Sequence, residues 1–471
     1  MRTYHHDAGP LAYASPSVKL LSLGIVALML AGVLALGCRG LAAAAGVPLV
    51  GAVGRVMGQA AAAGLCVGVA SLIAAVAVHF RTSDCAKIRH KVRRALCCPR
   101  YGNPLHLRDG EKLPAVICIE VCKGIYELTI KGGAVTVETI TDAASAISSA
   151  LDGRYVRYAI TQTDTGVAYD RVTFKVEDVT LDRTLTFSNV EQMRPQSPTK
   201  LMVQNGAEID LTTSGSMLVV GKTRSGKTTG IISLLMQVLQ CGRDAHNSEI
   251  VIVDPKQAEL SRLPHTVSLD EVGTATAILD AIKRFSETIT RRQRVLNGLS
   301  ESTGDVVKWW DAGMHPSFLF IDEYVSLRAI LPSKAGKDDP GYCLATFDSL
   351  IKRIVTMGAS AGCYMIISIA EASVQEGGLP AMLRSAMSTR ILFRPTRPEG
   401  LLLWDKVKLD PLPERIYGPG DAWFSSTDGL HDNVSYVHFP RMDFPVYRAL
   451  GQLLTEYYRD STAPTTPPAA E

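Results

Sequence analysis

Eight consecutive residues, Gly221-Lys222-Thr223-Arg224-Ser225-Gly226-Lys227-Thr228, have the types and spacing to hold a polyphosphate. Gly221 and Gly226 permit a tight backbone path whose N–H groups face phosphate oxygens, Lys227 can reach the terminal phosphates, and the Thr228 hydroxyl can ligate Mg2+. Thr223, Arg224, Ser225 and Thr229 complete the set expected around the phosphates. The chemistry implied is binding of ATP with Mg2+. Downstream, the apolar run Ser317-Phe318-Leu319-Phe320-Ile321 ends in Asp322-Glu323. A magnesium nucleotide needs two such carboxylates, one to hold the metal's water shell and one to polarise an attacking water. Asp322 takes the metal role and Glu323 that of the catalytic base. The pair alone is an ordinary strand end; a phosphate loop upstream gives it meaning.

Both motifs need a strand to end beside them and a helix to follow. Met217-Val220 precedes the phosphate loop, and an Ile-, Leu- and Met-rich stretch follows it to Leu239, so that a helix N-terminus adds its positive dipole end to the same anion. Further β-rich runs at Glu249-Val253, Tyr364-Ile369 and Thr389-Phe393 are separated by helix-length segments. That alternation predicts an α/β fold with a mostly parallel sheet covered on both faces.

Upstream, Ala115-Val121, Tyr126-Ile130, Ala134-Thr139, Val156-Gln162 and Val172-Val176 read as strands and Asp142-Leu151 as a helix, which predicts a small α+β domain over 104–200. No catalytic or metal-site spacing occurs in it. The P-loop nucleotide-binding domain is expected over 201–458 and a Pro-, Thr- and Ala-rich disordered tail over 459–471.

The first eighty residues differ in kind. Val18–Gly37 and Ala60–Phe80 are apolar runs, each about the 20 residues that a helix needs to cross a bilayer. A transmembrane hairpin over 18–80 follows, with 1–17 as a cytosolic tail and the lipid bilayer as a partner. Arg81, Lys87, Arg89, Lys91, Arg93, Arg94 and Arg100 crowd the segment 81–103, so the bulk of the chain is expected in the cytosol, below a cell membrane crossed twice. The other reading of the first run is a cleaved signal ending near Gly37-Cys38. The basic segment suits anionic lipid headgroups, worth about 1 kcal/mol per residue, better than DNA.

In 471 residues, 49 Lys and Arg against 46 Asp and Glu leave a formal charge of +3, so bulk charge selects no partner. Ten scattered cysteines lack C-x-x-C spacing and read as reduced thiols. Trp309-Trp310 could stack on bases, but paired aromatics at an element boundary more often pack inward. Pro332–Tyr342 reads as an exposed loop after the acidic motif.

The ordered motifs from Leu201 to Leu450 resemble the FtsK/SpoIIIE-type DNA translocases. They are Asp254-Pro255-Lys256-Gln257-Ala258-Glu259-Leu260 after an apolar strand, Ile321-Asp322-Glu323-Tyr324, Gly358-Ala359-Ser360-Ala361-Gly362, Ser388-Thr389-Arg390-Ile391-Leu392-Phe393 and Gly418-Pro419-Gly420-Asp421. The resemblance implies a RecA-like (FtsK/HerA-like) P-loop ATPase that assembles as a homo-oligomeric ring, a hexamer, and moves DNA. With the two spans and this length the chain is most similar to the TcpA-like membrane coupling proteins of Gram-positive conjugative elements. That likeness implies relaxase and secretion-channel proteins as partners. Chromosome movement, protein export, and a weakly hydrolysing nucleotide-binding scaffold are the alternatives.

Two departures from the family pattern bear on hydrolysis. Ser368-Ile369-Ala370-Glu371-Ala372 replaces the segment that usually carries a Thr-Gln sensor, and Ala359 stands where an arginine often reaches a neighbour. An arginine from a neighbour commonly stabilises the transferring phosphoryl group, and Arg353 and Arg390 are the candidates here. An ordinary ion pair is the competing reading for each.

Overall fold

The computed structural model describes all residues except 1–2, 8–9, 44–47, 99–101, 123, 134, 338, 372–378, 411, 413–414, 430 and 460–471. The tail expected over 459–471 lies outside the described residues apart from Arg459. The chain forms two compact units, Met1–Leu181 and Asp182–Glu471.

The first unit opens with two long helices, α1 (Pro16–Ala43) and α2 (Pro48–Arg81). Within them, Pro16–Gly40 and Ala52–Arg81 are long and apolar enough to cross a membrane. They pair antiparallel through small residues. A Cβ on Gly24 would lie 3.1 Å from the Gly68 carbonyl, one on Gly64 would lie 3.1 Å from Ala31, and the Cys38 thiol donates to the Gly54 carbonyl at 3.0 Å. Close approach of this kind is how helices associate where no hydrophobic drive separates protein from solvent. Their outer faces carry bare apolar side chains, with Val33 69%, Leu36 70% and Phe80 80% exposed. Such a surface is costly in water and ordinary in lipid.

Helix α3 (Asp84–Cys97) follows, capped by Ser83, whose hydroxyl accepts from Ala86 N. The basic segment is thus an amphipathic helix that buries Ile88, Val92 and Leu96. Next come β1 (Ala115–Cys122), β2 (Ile125–Lys131), α4 (Val137–Asp142), α5 (Ala144–Ala150), β3 (Tyr158–Thr165) and β4 (Arg171–Asp178). The strands make one antiparallel sheet in the order β1-β2-β4-β3. The strand expected over Ala134–Thr139 is corrected. Its β-branched residues favour extended chain, but the Thr136 hydroxyl accepts from Thr139 N and starts α4 instead.

The second unit begins with β5 (Thr186–Phe187) and the hairpin β6 (Lys200–Gln204) and β7 (Ala207–Asp210), turned at Asn205-Gly206. The elements after it are β8 (Met217–Val220), α6 (Lys227–Gln240), β9 (Ile250–Asp254), β10 (Thr266–Ser268), α7 (Thr276–Thr303), β11 (Ser317–Ile321), α8 (Tyr324–Ile330), α9 (Leu344–Met357) and β12 (Cys363–Ile369). Then come α10 (Ala381–Ala386), β13 (Thr389–Phe393), α11 (Arg397–Gly400), α12 (Lys406–Leu409), β14 (Asp421–Ser426), β15 (Ser435–His438), β16 (Arg441–Met442) and α13 (Val446–Arg459). Eight strands form one sheet in the order β10-β9-β11-β12-β8-β13-β14-β15. The first six run parallel, and β14 and β15 are added by antiparallel pairing, so the sheet is mostly parallel, as the strand–helix alternation predicts.

The central strands β8, β11 and β12 are buried along their whole length. A separate apolar core covers each face of the sheet. This explains the uninterrupted apolar runs, since a strand covered on both sides has no solvent face to alternate with. Trp309 belongs to one of these cores, 1% exposed beneath Gly362, where a Cβ would come within 2.7 Å of the indole. Trp310 meets it edge-on, so the pair packs inward.

Candidate functional site

The carboxyl ends of β8, β9, β11 and β12 come together at one cavity of about 270 Å³. Adjacent parallel strands in register must end side by side, and a P-loop fold collects its chemistry at that edge. The lining includes Thr223, Arg224, Gly226, Lys227, Thr228 and Thr229 from the phosphate loop and first turn of α6, together with Asp322 and Glu323. Lys222, Lys256, Ala258, Glu259 and Ala370 complete it.

The loop is held open for an anion by tight packing at its glycines. Gly226 has φ +93°, and a Cβ there would lie 2.6 Å from Gly420 N. That same Gly420 N–H donates to the Ser225 carbonyl at 2.9 Å, so the Gly418–Asp421 turn buttresses the phosphate loop from behind. Gly221 sits against Phe393, where a Cβ would approach to 2.9 Å. Arg224 also adopts positive φ (63°), which leaves its side chain exposed at the loop's outer edge.

Glu323 is the electrostatic centre. It takes φ +58°, a strained conformation for a residue with a side chain, and it is buried. Its Oε2 lies 2.9 Å from Lys256 Nζ and 3.8 Å from Lys227 Nζ, and its Oε1 accepts from Ala370 N at 3.2 Å. Asp322 is fixed separately, with Oδ1 accepting from Ser368 Oγ at 3.0 Å. Burial pushes the Asp322 carboxyl up, and Lys227 works against that rise. Burial pushes the Lys227 ammonium down, opposed by Glu323 and then Asp322. A buried carboxylate and a neighbouring hydroxyl, that of Thr228, are the oxygen donors a hard divalent cation prefers. The donor set therefore fits Mg2+, and the cavity floor with its ammonium fits the phosphates that such an ion accompanies.

Lys256 reaches the site because its loop is built around Asp254. That carboxylate, at the end of β9, accepts from Lys256 N at 3.1 Å, Ala258 N at 2.9 Å and Ser261 N at 3.0 Å. Three backbone donors on one buried carboxylate fold the segment tightly and aim Lys256 at Glu323. Sequence reasoning quoted this segment without assigning Lys256 or Ser368 a place in the site. The signal for Lys256 was an acidic strand end followed by lysine two residues later; for Ser368 there was none.

Gly221 and Ser225 belong to the loop without lining the cavity, and two predicted arginines lie away from it. Arg353 lies on the exposed face of α9, donating to Thr290 Oγ1. Arg390 lies on β13 at a separate cavity with Arg384 and Trp404, and its guanidinium donates to the carbonyls of Leu403 and Arg384. Neither reaches the phosphate loop of its own chain.

Residues 186–374 match the sequence model of the FtsK/SpoIIIE family. The chain is 25% identical to the FtsK domain-containing protein YdcQ of Bacillus subtilis over 152 residues, covering 32% of this chain and 28% of that protein. It is also 25% identical to the DNA translocase FtsK of Campylobacter jejuni over 234 residues, covering 48% of this chain and 23% of that one. The chain thus aligns with only about a quarter of the length of these relatives. Among solved structures, the pCW3 conjugation coupling protein TcpA in its monomer form with ATPγS superposes with a TM-score of 0.48 at 16% identity, covering 78% of this chain and 99% of that one.

Proposed function

We propose, from the match of residues 186–374 to the FtsK/SpoIIIE family model, that the chain is a membrane-anchored, ATP-driven DNA translocase that works as a conjugative coupling protein. The observation that carries the motor reading is the convergence of Lys227, Asp322 and Glu323 on one cavity. ATP occupies the loop from Gly221 to Thr229, with Lys227 on the terminal phosphates. Thr228 and Asp322 hold Mg2+, which when bound draws charge from the transferring phosphoryl oxygens. Glu323 orients and deprotonates the attacking water, and Lys256 holds that carboxylate in place. Like the family it resembles, the chain acts as a ring, in which Arg353 or Arg390 is available to a neighbour's nucleotide because neither is used in its own site. Support for the coupling role comes from two bilayer-length helices ahead of one motor unit. Relaxase and channel proteins are the partners this reading requires.

The test is ATP turnover by the full chain in detergent. DNA should raise the rate severalfold; a rate indifferent to DNA sinks the translocase reading. A transfer assay then separates the roles: deleting the gene should abolish mobilisation of the element that carries it and leave chromosome segregation intact.

A second reading, a nucleotide-binding scaffold with slow turnover, has one observation behind it. The residue at the end of β12 is Ala370, which offers Glu323 only a backbone N–H. The hold of Lys256 on Glu323 decides between the readings. In the motor, Lys256→Met should lower kcat about tenfold by loosening the base while KM for ATP stays within about threefold, since the substitution spares the phosphate contacts. If Lys256 merely locks a scaffold, removing it leaves kcat unchanged or raises it.

A further inference from the structure

We propose that the first unit contains a pocket for the headgroup of an anionic phospholipid, formed where α1 begins and α2 ends. This rests on the membrane reading of those two helices. A cavity of about 330 Å³ lies there, bounded by Ser15 and Val18 at the start of α1, His79 and Thr82 at the end of α2, and residues of α3 and the 152–155 turn. Because the two apolar helices are antiparallel, their start and end fall on the same side. The cavity therefore sits at the depth where phosphates lie when the helices span a bilayer.

Its lining is cationic. Lys87, Lys91, Arg94 and Arg154 face it together with a single carboxylate, Asp152. That carboxylate is engaged by Lys91. The nearby Asp84 is also committed, with one oxygen accepting from Tyr155 Oη at 2.7 Å and the other from Arg154 at 3.1 Å. Lys87 lies 4.0 Å from it. Burial, then Arg89, Arg93 and Lys19, hold the His90 imidazole below its ordinary value.

The N-terminus of α1 contributes as well. It has no acidic residue in its first turn and is capped by the Ser15 hydroxyl, which accepts from Val18 N, so the positive end of the helix dipole faces this side without a carboxylate on it. Phosphate esters take charge-assisted hydrogen bonds from groups of these types. The bare flank of α2, ending at Phe80, gives acyl chains a surface.

The experiment uses the full chain reconstituted from vesicles of phosphatidylcholine with a minority of phosphatidylglycerol, re-extracted in mild detergent, with retained lipid counted by mass spectrometry. Wild type should retain phosphatidylglycerol selectively. The double variant Lys87→Gln with Lys91→Gln should retain about tenfold less, and Lys87→Arg with Lys91→Arg should restore it. The control Arg108→Gln with Lys112→Gln loses equal charge outside the pocket and should match wild type. Equal losses in pocket and control variants, equal retention of phosphatidylcholine, or displacement by inorganic phosphate would each overturn the proposal. Alkaline carbonate extraction separates the two layers of the argument. A chain released from the membrane refutes the bilayer reading; a chain that stays embedded while the Gln variant keeps its phosphatidylglycerol refutes the pocket alone.

Discussion

Lys227→Ala should weaken ATP binding by on the order of 100-fold or more, as read from anisotropy titration of a fluorescent ATP analogue. The side chain is buried at the cavity floor, with Nζ 3.8 Å from Glu323. Burial already holds the ammonium down, so the site bears a desolvation cost that phosphate oxygens relieve when they arrive. Two charge-assisted hydrogen bonds lost to phosphate, at about 1.5–3 kcal/mol each, give that factor. Alanine also leaves Glu323 with Lys256 as its remaining ammonium partner, adding negative charge where the nucleotide must sit. A dissociation constant within about threefold of wild type would show that backbone N–H groups alone hold the nucleotide.

Glu323→Gln should act on the other half of the cycle. The hydrolytic rate in single turnover should fall by about 10²- to 10⁴-fold, the usual contribution of a positioned general base. ATP affinity should hold or rise. Gln is nearly isosteric, can still accept from Ala370 N through its carbonyl oxygen, and removes a negative charge 2.9 Å from Lys256 and 3.8 Å from Lys227. The Lys227 ammonium then faces the phosphates with less competition. A variant that binds ATP and turns it over at the wild-type rate would remove Glu323 from the base role and favour the scaffold reading. Together the two substitutions separate binding from chemistry, which neither does alone.

Much of this site was legible in the chain. A phosphate loop is a local object: its glycines, lysine and threonine are adjacent in sequence, and their geometry follows from backbone freedom and one helix N-terminus. The buried strands were equally readable, because Met217–Val220, Ser317–Ile321 and Thr389–Phe393 are short apolar runs with no room for another period. Propensity failed at Ala134–Thr139, where a single hydroxyl on Thr136 outweighed several β-branched side chains. The hairpin of β6 and β7 is carried locally by Asn205-Gly206, a strong turn signal between two short apolar runs.

What the sequence by itself determined is the chemistry on offer: a P-loop, two carboxylates at a strand end, and two helices long and apolar enough to cross a membrane. Each depends on residues close together in the chain, so spacing suffices. Only the tertiary structure decided how those parts meet. It set Lys256 on Glu323 across the ends of β9 and β11, put Ser368 on Asp322, brought the backbone N–H of Ala370 to Glu323, and drove the Gly420 turn against Gly226. It also turned Arg353 and Arg390 away from their own phosphate loop. These are contacts between elements distant in sequence, chosen by strand order in the sheet, and strand order is a property of how buried faces pack rather than of any local run of residues.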